Sequence, residues 1–119
     1  MKRTERPKTS RELWEMLTRM FPPFAEECRP EELADREREG TATFHSIMFP
    51  FTQYFGANRS SFSDRQVRQL AELINQAVEA PDELENAVST CFLEHLRQVR
   101  TYKVLAPHLS TQAKRRTHA

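Results

Sequence analysis

Residues 63–100 read SDRQVRQLAELINQAVEAPDELENAVSTCFLEHLRQVR, and this stretch decides the fold class. Ser63 followed by Gln66 is a capping-box start, with Asp64 as a competing cap. Behind it Val67, Leu70, Ala71, Ile74, Ala77 and Val78 form one apolar stripe, while Arg65, Arg68, Gln69, Glu72, Gln76 and Glu79 face away. Ala80-Pro81-Asp82 stops that helix and opens another, with Glu85 completing an Asp-x-x-Glu start. Leu84, Ala87, Val88, Cys91, Phe92, Leu96 and Val99 give a second stripe over four turns. Two helices, Asp64–Glu79 and Asp82–Arg100, joined so tightly should run antiparallel as a HEAT-like hairpin.

Working outward, the same helical grammar recurs. Thr9 and Glu12 make a capping box before Leu13, Trp14, Leu17 and Met20, and Pro22-Pro23 ends that run. Pro30 with Glu31 and Glu32 suits a first helical turn, and Gly40 suits its C-terminal stop. Apolar content there is nearly nil beyond Leu33 and Ala34, which predicts a short surface helix or a mobile loop. Phe44, Ile47, Met48, Phe51, Tyr54 and Phe55 follow three-and-four spacing, so a third apolar face lies over Phe44–Phe55. Pro50 predicts a kink or break within it, and Gly56 and Asn58 a left-handed end. Six of the chain's eleven aromatics fall between Phe44 and Phe62, which reads as an aromatic core or a partner groove around Pro50. Tyr102, Val104 and Leu105 lead to Pro107 and a last short helix. The expectation is an all-α bundle of about five helices in one domain spanning 1–119, with basic tails at 1–8 and 114–119.

Composition narrows the function classes. The 119 residues are 38% hydrophobic and carry only two glycines, so Gly-rich phosphate loops have no material. No apolar run approaches a membrane span or a secretory h-region, and two cysteines are too few for a disulfide framework, so the expected setting is the cytoplasm. Cys91 and His95 stand at i,i+4, half of a metal site, but Cys28 and His108 would have to come from afar, so neither metal nor cofactor is expected. Cys91, Glu94 and His95 lack an oxyanion-binding loop, and the paired carboxylates lack apolar neighbours, so no enzyme is expected. A hairpin whose second helix opens with Asp82, Glu83 and Glu85 repels phosphate, which speaks against DNA.

The net charge of +1 hides three blocks. Residues 1–25 hold six Lys/Arg against three Asp/Glu, residues 26–85 six against thirteen, and residues 86–119 six against one. Such a chain can neutralise itself or offer one sign to a partner. The stretch Glu83 to Leu96, with its Asn86-Ala87-Val88-x-Thr90-x-Phe92-Leu93-Glu94 core, resembles small bacterial all-helical proteins of unassigned function, several of them similar to toxin-immunity proteins. The resemblance covers Asp64 to Leu96. It implies a monomer that occludes a cognate toxin domain and carries no catalytic residue.

An acidic surface would suit a basic, nuclease-type toxin. Candidate contacts are Glu72, Glu79, Asp82, Glu83 and Glu85 on the hairpin, and Glu31, Glu32, Asp35, Glu37 and Glu39 on the early segment. Arg65, Arg68 and Leu93 are the candidate anchors. The alternative is a HEAT-like adaptor binding a host protein.

Overall fold

A computed structural model describes residues 5–58, 60–96 and 102–117. Eight α-helices follow in chain order: α1 Ser10–Met20, α2 Phe24–Glu27, α3 Pro30–Glu39, α4 Phe44–Ala57, α5 Asp64–Ala77, α6 Glu83–Cys91, α7 Tyr102–Leu105 and α8 Thr111–Arg115. Short 3-10 turns at Leu93–His95 and Ala106–His108 complete the path. The described residues are therefore all helical. Among the described residues eight helices stand where about five were expected, because α2 and α7 are single turns too short for periodicity to register, while α8 is the expected last short helix. None of the described helices is long and apolar enough to cross a membrane.

Local chemistry explains most boundaries. Ser63 and Gln66 close a reciprocal capping box on α5, and Thr43 with Ser46 does the same on α4. The Thr9 hydroxyl accepts from the Glu12 amide, but the Glu12 carboxylate reaches one residue further back, to the Lys8 amide at 2.9 Å, so the expected box is open on one side. Gly40 ends α3 at φ 74°, the left-handed conformation that favours glycine. The segment left open between loop and helix is thus a helix, held by its Pro30 start and Gly40 stop although Leu33 is its one buried residue.

The core is aromatic. Phe51 lies 5.4 Å from Phe21, 5.1 Å from Phe24, 5.9 Å from Phe55 and 5.7 Å from Phe92, centroid to centroid. Phe62 stacks on Phe55 at 4.7 Å and meets Phe21 edge-on at 5.0 Å. These rings knit α1, α2, α4 and the end of α6 together, with each pair adding about 0.5–1.5 kcal/mol beyond burial. Pro50 does not break α4, which runs on to Ala57. Ile47, Met48, Phe51 and Phe55, buried on both flanks, outweigh one lost backbone bond, whose cost is about 3 kcal/mol. Gly56 lies inside that helix, and Asn58 caps it at φ −117° with its side-chain amide on the Tyr54 carbonyl, so neither residue is left-handed.

The hairpin is the part the structure revises most. α6 ends at Cys91 after nine residues, and its most extensive packing is on α4, ahead of α5. The Thr52 hydroxyl of α4 bonds the Cys91 carbonyl, and Phe92 leaves helical geometry at φ −122°, ψ −64°. That turn swings Phe92, Leu93 and Leu96 all into the core, each 0% exposed. Leu93 is therefore no surface anchor. Val99 and Arg100, expected at the helix end, lie outside the described residues.

Helix α5 is buried on a second side as well. Leu73 and Gln76, which the stripe left out, are buried because α7, α8 and the turn between them pack on α5. Asn75 clamps that C-terminal segment, its amide donating to the His108 carbonyl at 3.0 Å and its oxygen accepting from the Ser110 amide at 2.8 Å. α8 takes in Lys114 and Arg115 of the expected basic tail, with Ala113 and Thr117 buried.

Replacing Phe51 or Phe92 by Ala should cost about 3–5 kcal/mol in chemical denaturation, because each is fully buried and packed against other rings. Phe49→Ala, which removes an exposed ring, should stay within about 0.5 kcal/mol of the parent. Equal stabilities for all three proteins would contradict the aromatic core.

Candidate acidic groove and the charges around it

Five ion pairs join ten of the described charges. Arg6, on the segment leading to α1, grips the end of α5: its guanidinium donates to the Gln76 and Ala77 carbonyls at 3.3 and 3.0 Å. The same group forms a fork on Asp82, 2.6 Å to Oδ2 and 2.7 Å to Oδ1. Asp82 also caps α6 by accepting from the Glu85 amide at 3.1 Å. The Arg6 hydrogen bonds hold the Asp82 carboxyl down at about 2. Arg11 forks onto Glu37 at 2.6 and 2.9 Å and lowers its pKa. Arg38 pairs with Asp35, and Arg68 with Asp64 at 2.9 Å. Glu85 accepts from the Ser89 hydroxyl at 2.6 Å, and Arg116 stands 3.8 Å away.

The acids singled out from the sequence thus do not act as one patch. Asp82 and Glu83 border a hollow of about 460 Å³ shared with Arg6 and Lys8, so the basic N-terminal block meets the acidic hairpin turn there. Glu79 lies within the field of the same Arg6. Arg65 lines a separate groove of about 860 Å³ between α1 and α5. Glu72 is half-buried on α5, and Glu39 is exposed at the end of α3.

One face is different. Glu26 and Glu27 end α2, and Glu31 and Glu32 open α3, all exposed and, among the described residues, without an ion-pair partner. Arg29 and Arg36 stand among them but form no ion pair there, leaving four carboxylates against two guanidiniums. Glu27 and Glu32 rim a groove of about 480 Å³ whose floor and far wall are Leu33, Ile47, Phe49 and Pro50, with Arg36 and His45 also lining it. Phe49 is the exposed large apolar side chain of the described residues, at 61%. Its position follows from the core: with Ile47, Met48 and Phe51 turned inward, the helical period forces Phe49 and Pro50 outward. The aromatic clustering around Pro50 was visible in the sequence; the acids of α2 beside it needed the fold.

At the far side of this groove the structure makes a pairing that spacing did not suggest. The Cys91 sulfur lies 3.1 Å from Nδ1 of His45, and the Asn86 amide lies 3.3 Å from Nε2 of the same ring. Of the two residues noted as half of a metal site, Cys91 ends α6 and His95 falls in the following 3-10 turn. Among the described residues no three His, Cys, Asp or Glu side chains come together as a metal site. Cys28, the second thiol, is buried under α3, with Trp14 donating to its carbonyl at 2.7 Å; burial, aided by Glu32, pushes its pKa up.

No family model, curated protein or solved structure matches this chain, so its role is read from its own residues.

The Arg6–Asp82 fork sets a pH signature. Because the folded carboxyl titrates at about 2 and a free one at 3.8, its stabilisation is complete above the higher value and is lost as pH falls through the lower. Arg6→Ala should therefore flatten the acid limb of a pH–stability curve between those values, and Asp82→Ala should in addition remove a helix cap at about 1 kcal/mol. Superimposable acid limbs for parent and Arg6→Ala would contradict the clamp.

Proposed function

We propose that this protein acts by binding, as an inhibitor that occludes a basic protein partner, and that the partner seats on the acid-rimmed groove between α3 and α4. The observation that carries this reading is a cluster of four acids, unpaired among the described residues, beside the exposed Phe49 and its groove. Asp35, Glu37, Asp64, Asp82 and Glu85 each face an arginine of this chain, whereas Glu26, Glu27, Glu31 and Glu32 have none among the described residues. An uncompensated acidic rim beside an exposed Phe49 offers a basic partner both steering and an apolar contact.

The role this suits is that of an immunity protein for a nuclease-type toxin, whose substrate-binding cleft is basic. Nothing in such a role requires turnover or a cofactor. The early acidic segment now carries the proposal, since Asp82 is committed to Arg6 and to capping α6. A HEAT-like adaptor would draw on the α5–α6 connection, yet α6 turns to α4 for most of its packing.

The test is co-expression with the product of the adjacent upstream gene, scored by survival and co-purification. Protection is expected, with association slowing as salt rises because screening shortens to about 8 Å near physiological ionic strength. Glu27→Lys with Glu32→Lys should slow association about tenfold or more and abolish protection at unchanged helicity. Glu83→Lys, beside Lys8 and Arg6, should leave protection intact. A harmless gene product, or killing undiminished by this protein, would sink the immunity reading in favour of the adaptor. Full protection by the double reversal would instead remove the groove from the interface.

A further inference from the structure

The two cysteines of this chain sit in opposite surroundings. Cys28 is buried and its thiol is pushed toward the protonated, unreactive form. Cys91 is half-buried, with its sulfur 3.1 Å from His45 Nδ1 and the Thr90 hydroxyl 3.8 Å away. The His45 ring is held from its other side by Asn86, at 3.3 Å from Nε2. Nucleophile, base and orienting amide come from two helices, α4 and α6, which the Thr52 hydroxyl ties together at the Cys91 carbonyl. This is the arrangement that activates a thiol: a base within hydrogen-bond reach, itself held in place by a third group.

We propose that Cys91 is a thiol-modification site, at which His45 acts as general base in exchange with small-molecule disulfides of the glutathione type. The helix ends decide how the step runs. Cys91 is the last residue of α6, at the negative end of that dipole, and His45 is the second residue of α4, at a positive end. Neither helix end favours a standing charge pair there, which couples proton transfer to attack. The proton then moves as the sulfur attacks. The Cys91 sulfur bonds to one sulfur of the disulfide, whose S–S bond breaks. His45 Nδ1 takes the thiol proton and hands it to the departing thiolate, leaving a mixed disulfide on Cys91 and one free small thiol. With Nδ1 as the base, Nε2 carries its hydrogen throughout, so Asn86, exposed on α6, accepts from it through its amide oxygen after turning the amide whose nitrogen now lies 3.3 Å away.

Cys28 serves as the internal control. Intact protein is treated with excess glutathione disulfide, and the mass increment is assigned to each cysteine by peptide mapping over time, at several pH values. Cys91 should be modified about tenfold or more faster than Cys28. His45→Gln, which keeps a polar side chain but no base, should slow Cys91 about tenfold or more, within the range general bases contribute. It should leave the Cys28 rate unchanged, which also shows that the fold holds. Asn86→Ala should slow Cys91 by a smaller factor. Equal rates for the two cysteines in the parent, or a Cys91 rate indifferent to His45→Gln, would overturn the proposal. Loss of Cys28 protection in His45→Gln would assign His45 a structural role and overturn it as well.

Discussion

The packing of Phe51 against Phe21, Phe24, Phe55 and Phe92 is the contact on which the molecule depends. It joins three stretches of chain that are far apart in sequence, the α1–α2 corner, α4 and the end of α6. It also accounts for two local oddities. A proline can sit in mid-helix because the residues flanking it are buried, and α6 can end early because its last turn is traded for Phe92, Leu93 and Leu96 in the core. The same constraint faces outward: once Phe51 and its neighbours are inside, Phe49 stands in solvent and Pro50 is half-buried at the groove beside α3.

Much of this was legible residue by residue. The Ser63–Gln66 box, the Gly40 stop, the α5 stripe and the aromatic clustering over Phe44–Phe62 all follow from short-range chemistry, and the structure has each of them. The failures share a cause. Phe92 and Leu96 satisfy a straight helical stripe as well as they satisfy a broken one, so periodicity could not see the turn that buries Leu93. Gln76 reads as facing away from the α5 stripe and Leu73 falls outside it, because the C-terminal segment that packs on α5 comes from distant chain and includes α7, a single turn too short to announce itself. His45 lies 46 residues from Cys91, and no spacing rule joins residues that far apart.

Charge behaved in the same way. The block pattern of basic, acidic and basic segments was plain from the sequence, but its resolution needed coordinates. The basic ends fold back: Arg6 onto Asp82, Arg11 onto Glu37 and Arg116 toward Glu85. Self-neutralisation thus accounts for these three returns, whereas the four acids of the α2–α3 corner have no arginine paired with them among the described residues. Exposed pairs of this kind contribute about 1 kcal/mol or less each to stability. Their larger consequence is to decide which carboxylates remain available to another molecule.

That claim is open to direct measurement by amide chemical shifts during titration with a peptide of alternating lysines and leucines at low salt. The largest shift changes are expected at Glu26 to Leu33 and at Ser46 to Phe51, with Asp82 to Glu85 little moved because Arg6 already occupies that corner. Largest changes at Asp82 to Glu85, with the α2–α3 corner silent, would contradict it.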